Sequence, residues 1–211
     1  MQTEKFLMVD FPTQNRCLNM KLKQALFVVC LIFIGLLLFC KTSPAEDQNT
    51  EDVPTRHGFA LSYGNTFHPD NKIGFILANY LVMFDYDKIW PHSAPENLRF
   101  KVECSLGSTT TPENWVMASA GVLALYYLDF LDSASVRPYI EGGIGLIYTG
   151  FRVEGQGSRL NFNPKAGFGF EFPIGRETLF TSLRWDHLSN AYLNRDNTSV
   201  DSVILMFGAY F

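Results

Sequence analysis

Arg184-Trp185-Asp186-His187-Leu188-Ser189-Asn190-Ala191 is where residue types and spacing in this sequence could support covalent chemistry. A serine hydroxyl is a poor nucleophile near neutral pH and needs a base to take its proton. Residues two apart on a strand share a face, so His187 and Ser189 would project side by side, imidazole beside hydroxyl. A third group must orient the imidazole and stabilise its cation. Asp186 is adjacent to His187 and should face the other way. Asp196 sits in the turn-like segment 194–199. Asp201 opens the next apolar segment, and its parity matches: Asp201, Val203, Leu205 and Phe207 share one face, as do Leu183, Trp185, His187 and Ser189. The chemistry expected is ester hydrolysis, with Ser189 as nucleophile, His187 as general base and Asp201 as orienting acid. A His-x-Ser pair also arises by chance. The plainer alternative makes His187 an interfacial side chain and Ser189 a strand-end residue.

Strands must carry these residues, and the chain offers eight: Gly58–Thr66, Ile73–Phe84, Leu98–Leu106, Trp115–Tyr127, Arg137–Tyr148, Asn161–Phe172, Thr178–Leu188 and Val200–Phe211. Segments rich in Pro, Gly, Asn and Asp separate them. Alternation is sharpest in the sixth, where Ala166, Phe168, Phe170 and Phe172 interleave with Lys165, Gly167, Gly169 and Glu171. A soluble sandwich would bury the greasy face, whereas a barrel in lipid turns it outward. Three features favour the barrel: an even count of eight, a secretion leader, and a last strand ending in Phe211. An open sheet cannot survive in lipid, so the last strand must pair with the first. The expected fold is an all-β, eight-stranded antiparallel transmembrane barrel of the bacterial outer membrane. The site on its seventh and eighth strands would then look outward, towards lipid.

The leader is Met20 to Ala45. Lys21 and Lys23 precede the uncharged apolar run Ala25 to Phe39, and Ser43-Pro44-Ala45 supplies small residues for cleavage. The run is short for a membrane helix, which needs ~20 residues. Residues 1–19 read as a mis-assigned extension ahead of a start at Met20, residues 46–57 as a polar mature N-terminus, and 58–211 as the barrel domain.

Net charge is −4, from 17 basic and 21 acidic residues, which gives no nucleic-acid footprint. Beyond the leader Cys104 is the one cysteine, so no intrachain disulfide is expected. His57, His68 and His92 lack the clustered spacing of a metal site, and neither metal nor cofactor is expected. Gly142-Gly143-Ile144-Gly145 lacks the following helix and Lys-Ser/Thr of a phosphate loop. Its glycines suit close packing or barrel curvature. Trp90, Trp115 and Trp185 are candidates for interfacial girdles.

His187-Leu188-Ser189-Asn190-Ala191, followed by Asn197 and Val200-Asp201-Ser202, resembles the signature of the lipid A 3-O-deacylases, the PagL-like outer-membrane esterases. The stretches Arg137–Gly145 and Asn161–Pro164 are similar to the wider family. The resemblance implies an eight-stranded barrel that hydrolyses the 3-O-linked acyl chain of lipid A, the membrane anchor of lipopolysaccharide, by a cofactor-free serine–histidine–acid triad. It implies the same three roles for Ser189, His187 and Asp201. Asn190 would support the oxyanion through its side chain or backbone N–H. The partners implied are lipid A and outer-membrane lipid, with a homodimer left open. Two positions depart from the family: Asp201 stands where glutamate is usual, and Tyr192 where glycine is. The competing functions are a non-enzymatic small barrel for integrity or adhesion, and an esterase for another acylated lipid.

Overall fold

Eight alternating segments pair in chain order and close on themselves in a computed structural model that describes residues 53–70, 72–89, 94–133 and 135–211. The extension, the leader and the acidic start as far as Asp52 lie outside the described residues, as do Trp90 and His92. The strands are β1 (Arg56–His68), β2 (Gly74–Asp85), β3 (Leu98–Thr111), β4 (Val116–Tyr127), β5 (Arg137–Thr149), β6 (Leu160–Ile174), β7 (Glu177–Leu188) and β8 (Val200–Tyr210). Every neighbouring pair is antiparallel. β8 returns to β1 in a register running from Gly58 opposite Tyr210 to His68 opposite Asp201, with a shift after Thr66. Closure leaves no unpaired edge, which a sheet in hydrocarbon requires.

The eight expected strands are all present. β3 differs most, continuing past Leu106 to Thr111. Gly-Ser-Thr-Thr-Thr reads as a turn by composition, but β2 supplies partners as far as Gly74 opposite Thr111.

Period two sorts the side chains by chemistry. Phe59, Leu61 and Tyr63 on β1, Phe168 and Phe170 on β6, Leu183 and Trp185 on β7, and Val203, Leu205 and Phe207 on β8 are exposed on the outer face. Inside lie Lys101, Glu103, Glu141, Lys165, Glu171, Arg184 and Asp186, all buried. This inverts the pattern of a protein facing water and is the arrangement of a barrel facing lipid. No described helix is long and apolar enough to cross a membrane.

The interior is filled in layers. One apolar cluster, with Leu81, Met83, Leu125, Tyr139, Phe180 and Tyr210, sits towards the chain termini. A second, with Phe75, Leu77, Met117, Ile147, Leu188 and Ile204, sits towards the β7–β8 loop. Along β5 and β7 the charged residues fall between the two: Tyr139, Glu141, Ile147 on one strand, and Phe180, Arg184, Leu188 on the other. The interior void at this level is about 20 Å³, room for about one water molecule and no channel. Gly145 meets the close-packing expectation, since a Cβ there would stand 2.6 Å from the Ala120 carbonyl oxygen. Trp115 corrects the girdle expectation: it packs against the second inner cluster, whereas Trp185 does face outward.

Candidate active site

β7 and β8 are joined by residues 189–199, and the rung before their last one, Leu188–Val200, sets the site. His187 lies directly opposite Asp201 across the β7–β8 ladder. Both carry outward parity, so the two side chains meet on the outer wall. His187 Nδ1 and Asp201 Oδ1 are 2.8 Å apart, with 27% and 16% of their side-chain surfaces exposed. Beside them the Trp185 ring is tilted over the imidazole, centroids 5.7 Å apart. Among the described strand residues, the other outward-parity carboxylate is Glu177, at the β6–β7 turn. A carboxylate on a lipid-facing wall is costly to keep there, and its imidazole partner gives this one a hydrogen bond.

Ser189 lies one residue beyond β7 but keeps an extended backbone. Its N–H donates to the Phe162 carbonyl at 3.1 Å, and its own carbonyl accepts from the Phe162 N–H at 2.8 Å. This two-way clamp on β6 preserves the parity that puts Ser189 on the His187 face. Among the described residues no hydrogen bond joins Ser189 to His187. The fold therefore brings the acid and the imidazole into contact and carries Ser189 two residues on with the same parity. Catalytic contacts of this kind are often loose before substrate binds.

Asn190 turns inward and is buried. Its backbone N–H donates to Asn197 Oδ1 at 2.7 Å, and its side-chain Nδ2 donates to the Asp196 carbonyl at 2.7 Å. Both donor groups that the sequence suggested for an oxyanion are thus engaged within the loop. Asn190 thereby ties the start of the loop to residues 196 and 197. The chain from Asn190 makes a type I′ turn. The Leu193 N–H reaches the Asn190 carbonyl at 3.0 Å, with Ala191 at φ 51° and Tyr192 at φ 61°. Both central residues of this turn type need positive φ, which favours glycine and asparagine. The Ala191 and Tyr192 N–H groups make no hydrogen bond among the described residues.

Asp186, the rival acid, faces the lumen. It lies 3.9 Å from Lys165 Nζ and accepts from Asn163 Nδ2 at 3.3 Å. The same Asn163 amide donates to the His187 backbone carbonyl at 3.3 Å. Asp196 is in the loop, as its sequence position suggested, and acts through its carbonyl. His68 stands opposite Asp201 on the β1 side, and His57 Nδ1 lies 2.8 Å from the Tyr80 hydroxyl elsewhere on the outer wall. No group of three or more His, Cys, Asp or Glu among the described residues is placed to hold a metal ion.

Sequence reasoning assigned no role to Phe162, Asn163 or Asn197. The available signals were the Asn161-Phe162-Asn163-Pro164 stretch and Asn197, both among the residues that carry the family resemblance.

A family model described as lipid A 3-O-deacylase (PagL) matches residues 78–210, more than half of the chain. Among solved structures, the outer-membrane enzyme PagL is 24% identical, over 72% of this chain and 97% of that one, with a TM-score of 0.51. Neisserial surface protein A is 15% identical, over 74% of this chain and 95% of that one, with a TM-score of 0.56. Comparison with curated protein sequences returns no match. The barrel is of the outer-membrane kind and the protein resides in that membrane. With its closing strands and the His187–Asp201 rung inside the matched span, the chain belongs to the lipid A 3-O-deacylase (PagL) family.

Proposed function

We propose that this protein hydrolyses the 3-O-linked acyl ester of lipid A, with Ser189 as nucleophile, His187 as general base and Asp201 as the acid that orients the imidazole. The observation that carries the proposal is the 2.8 Å His187–Asp201 contact on the lipid-facing wall, two residues from Ser189. With Nδ1–H given to the carboxylate, Nε2 is the ring nitrogen free to accept the serine proton. Ser189 Oγ attacks the ester carbonyl as its proton passes to His187. The tetrahedral intermediate collapses, the C–O bond to the sugar breaks, and His187 returns the proton to the departing sugar oxygen. Water, deprotonated by His187, then attacks the acyl-enzyme and releases the fatty acid.

The oxyanion needs donors fixed before the reaction begins. The Ala191 and Tyr192 N–H groups, free and held by the type I′ turn, are the nearest candidates downstream of Ser189. Below the triad the outer wall is apolar, through Trp185, Leu183, Val203 and Leu205. Acyl chains would lie along it while the sugar stays near the loops.

The test is mass spectrometry of lipid A from cells expressing wild type or Ser189→Ala. Wild type is expected to remove one ester-linked acyl chain and the variant none. Identical lipid A from both, with each protein folded in the outer membrane, would overturn the proposal.

A further inference from the structure

The β5–β6 connection, residues 150–159, holds Gly155-Gln156-Gly157, a stretch that the reaction above leaves without a role. It is bound to the β7–β8 loop by three hydrogen bonds, two of which make the Gln156–Asn197 bridge. The Gly157 N–H donates to the Asp196 carbonyl at 2.8 Å, and Asn194 Nδ2 donates to the Gly157 carbonyl at 2.9 Å. The Thr198 N–H donates to the Gly155 carbonyl at 2.8 Å. The Asp196 carbonyl is the shared node. It accepts from Gly157 on one side and from Asn190 Nδ2 on the other. Asn197, next in the chain, takes the Asn190 backbone N–H. A continuous path of hydrogen bonds therefore runs from Gly157 to the residue after the nucleophile.

Gly157 has no room for a side chain. A Cβ there would stand 2.5 Å from Asn194 Cγ and 2.6 Å from the Asp196 carbonyl oxygen. The second contact is with backbone and cannot be relieved by a rotamer change. The segment 194–197 would have to move, and Asn190 is fastened to it.

From this geometry we infer that Gly157 is a positioning residue for the esterase site: the β5–β6 loop sets the Asn190 turn that follows Ser189. The inference rests on the ester-hydrolase reading for its catalytic consequence, but its structural core can be measured without it. Misplacing a reacting group by about 1 Å can cost on the order of 100-fold. Gly157→Ala is therefore expected to lower kcat by at least about tenfold, with KM little changed and the folded barrel fraction equal to wild type.

Gly175→Ala is the control. Gly175 lies in the β6–β7 turn at φ 64°, with open space around it, so its replacement strains the backbone far from the site. It should lower the folded fraction while leaving kcat per folded molecule unchanged. If Gly157→Ala behaves like this control, or keeps kcat, Gly157 is only structural and the inference fails.

The independent readout is hydrogen exchange at the Asn190 amide, followed by NMR in micelles. In Gly157→Ala that amide should exchange faster by about tenfold or more, while the Phe162 amide on β6 does not change. Unchanged Asn190 exchange overturns the inference. If wild type hydrolyses no ester at all, the proposed function falls, and the exchange experiment still decides whether the β5–β6 loop sets the Asn190 turn.

Discussion

The barrel wall carries acid–base pairs on both sides, and the two sets are built differently. Inside, Glu103 accepts from Lys165 at 2.8 Å and from Arg184 at 2.6 Å, while Glu141 accepts from Lys101 and from Arg184 at 2.5 Å. Asp186 and Asn163 extend this lattice towards the loops. Nearer the termini Arg56 and the Tyr127 hydroxyl both reach Glu171, at 3.0 and 2.9 Å. Glu103, Glu141, Lys165 and Arg184 each meet more than one partner, as burial favours. Outside, the His187 imidazole meets one carboxylate, Asp201, with no other ion pair to either group among the described residues. A lattice with shared partners is rigid and unreactive. A lone pair with one ring nitrogen to spare can take up a proton and return it. Carboxylates are thus shared in a lattice on one face and paired singly on the other, and strand parity decides which.

The largest effect that would break this division comes from exchanging the acids. Asp201→Asn removes the charge that stabilises the imidazolium and favours the wrong tautomer. It should lower kcat by roughly 10³- to 10⁴-fold while leaving the barrel folded. Asp186→Asn, one residue from His187 but inside, should keep most activity per folded molecule and shift the urea unfolding midpoint instead. Inactivation by Asp186→Asn in a fully folded protein, with Asp201→Asn still active, would show that the outer pair is not the catalytic one.

Next in size is the inner lattice itself. Glu103→Gln leaves Lys165 and Arg184 buried with one counter-charge fewer. Breaking a buried network in this way costs about 3–5 kcal/mol. Urea titration of the barrel in lipid vesicles should show the loss as a lower midpoint at unchanged slope, with specific activity of the folded fraction preserved. A midpoint equal to that of wild type would mean the lattice is not a stabilising element.

A smaller change falls on the link between the faces. Asn197→Ala leaves the Asn190 N–H without its acceptor. A net hydrogen bond is worth roughly 0.5–1.5 kcal/mol, so kcat should fall up to about tenfold. Unchanged kcat would remove Asn197 from the positioning path.

These contrasts also explain what could be read from the chain beforehand. Segments of about ten residues between turn-forming residues placed all eight strands, and apolar-out, polar-in alternation is sharpest in β6. The same parity separates Asp201 from Asp186 in the sequence alone. β3 beyond Gly107 was not legible, since its composition suits a turn and only the β2 register shows that it pairs. The inner ion pairs join residues as far apart as Glu103 and Arg184, 81 positions in sequence, and nothing local marks them. Asn163 and Gly157 bond to groups of other segments and Asn197 to the far end of its own loop, so residue type alone gives no sign of their partners.

The smallest effect sharpens the outer site. Tyr192 holds φ 61° in the type I′ turn, and its side chain is 83% exposed. The left-handed region costs a non-glycine residue roughly 1–2 kcal/mol. Glycine removes that strain but gives back part of the gain through a more flexible unfolded chain, about 0.4–1 kcal/mol. Tyr192→Gly should therefore stabilise the barrel by about 1 kcal/mol or less, read as a small rise in the urea midpoint. The ring has little packing to lose, so any decrease in stability would show that it contacts the lipid or the loop more closely than its exposure implies. The activity readout separates two roles for this residue. If Tyr192 only strains the turn, kcat/KM should change equally for long and short acyl substrates. If the ring borders the acyl chain, the glycine variant should change the ratio between them.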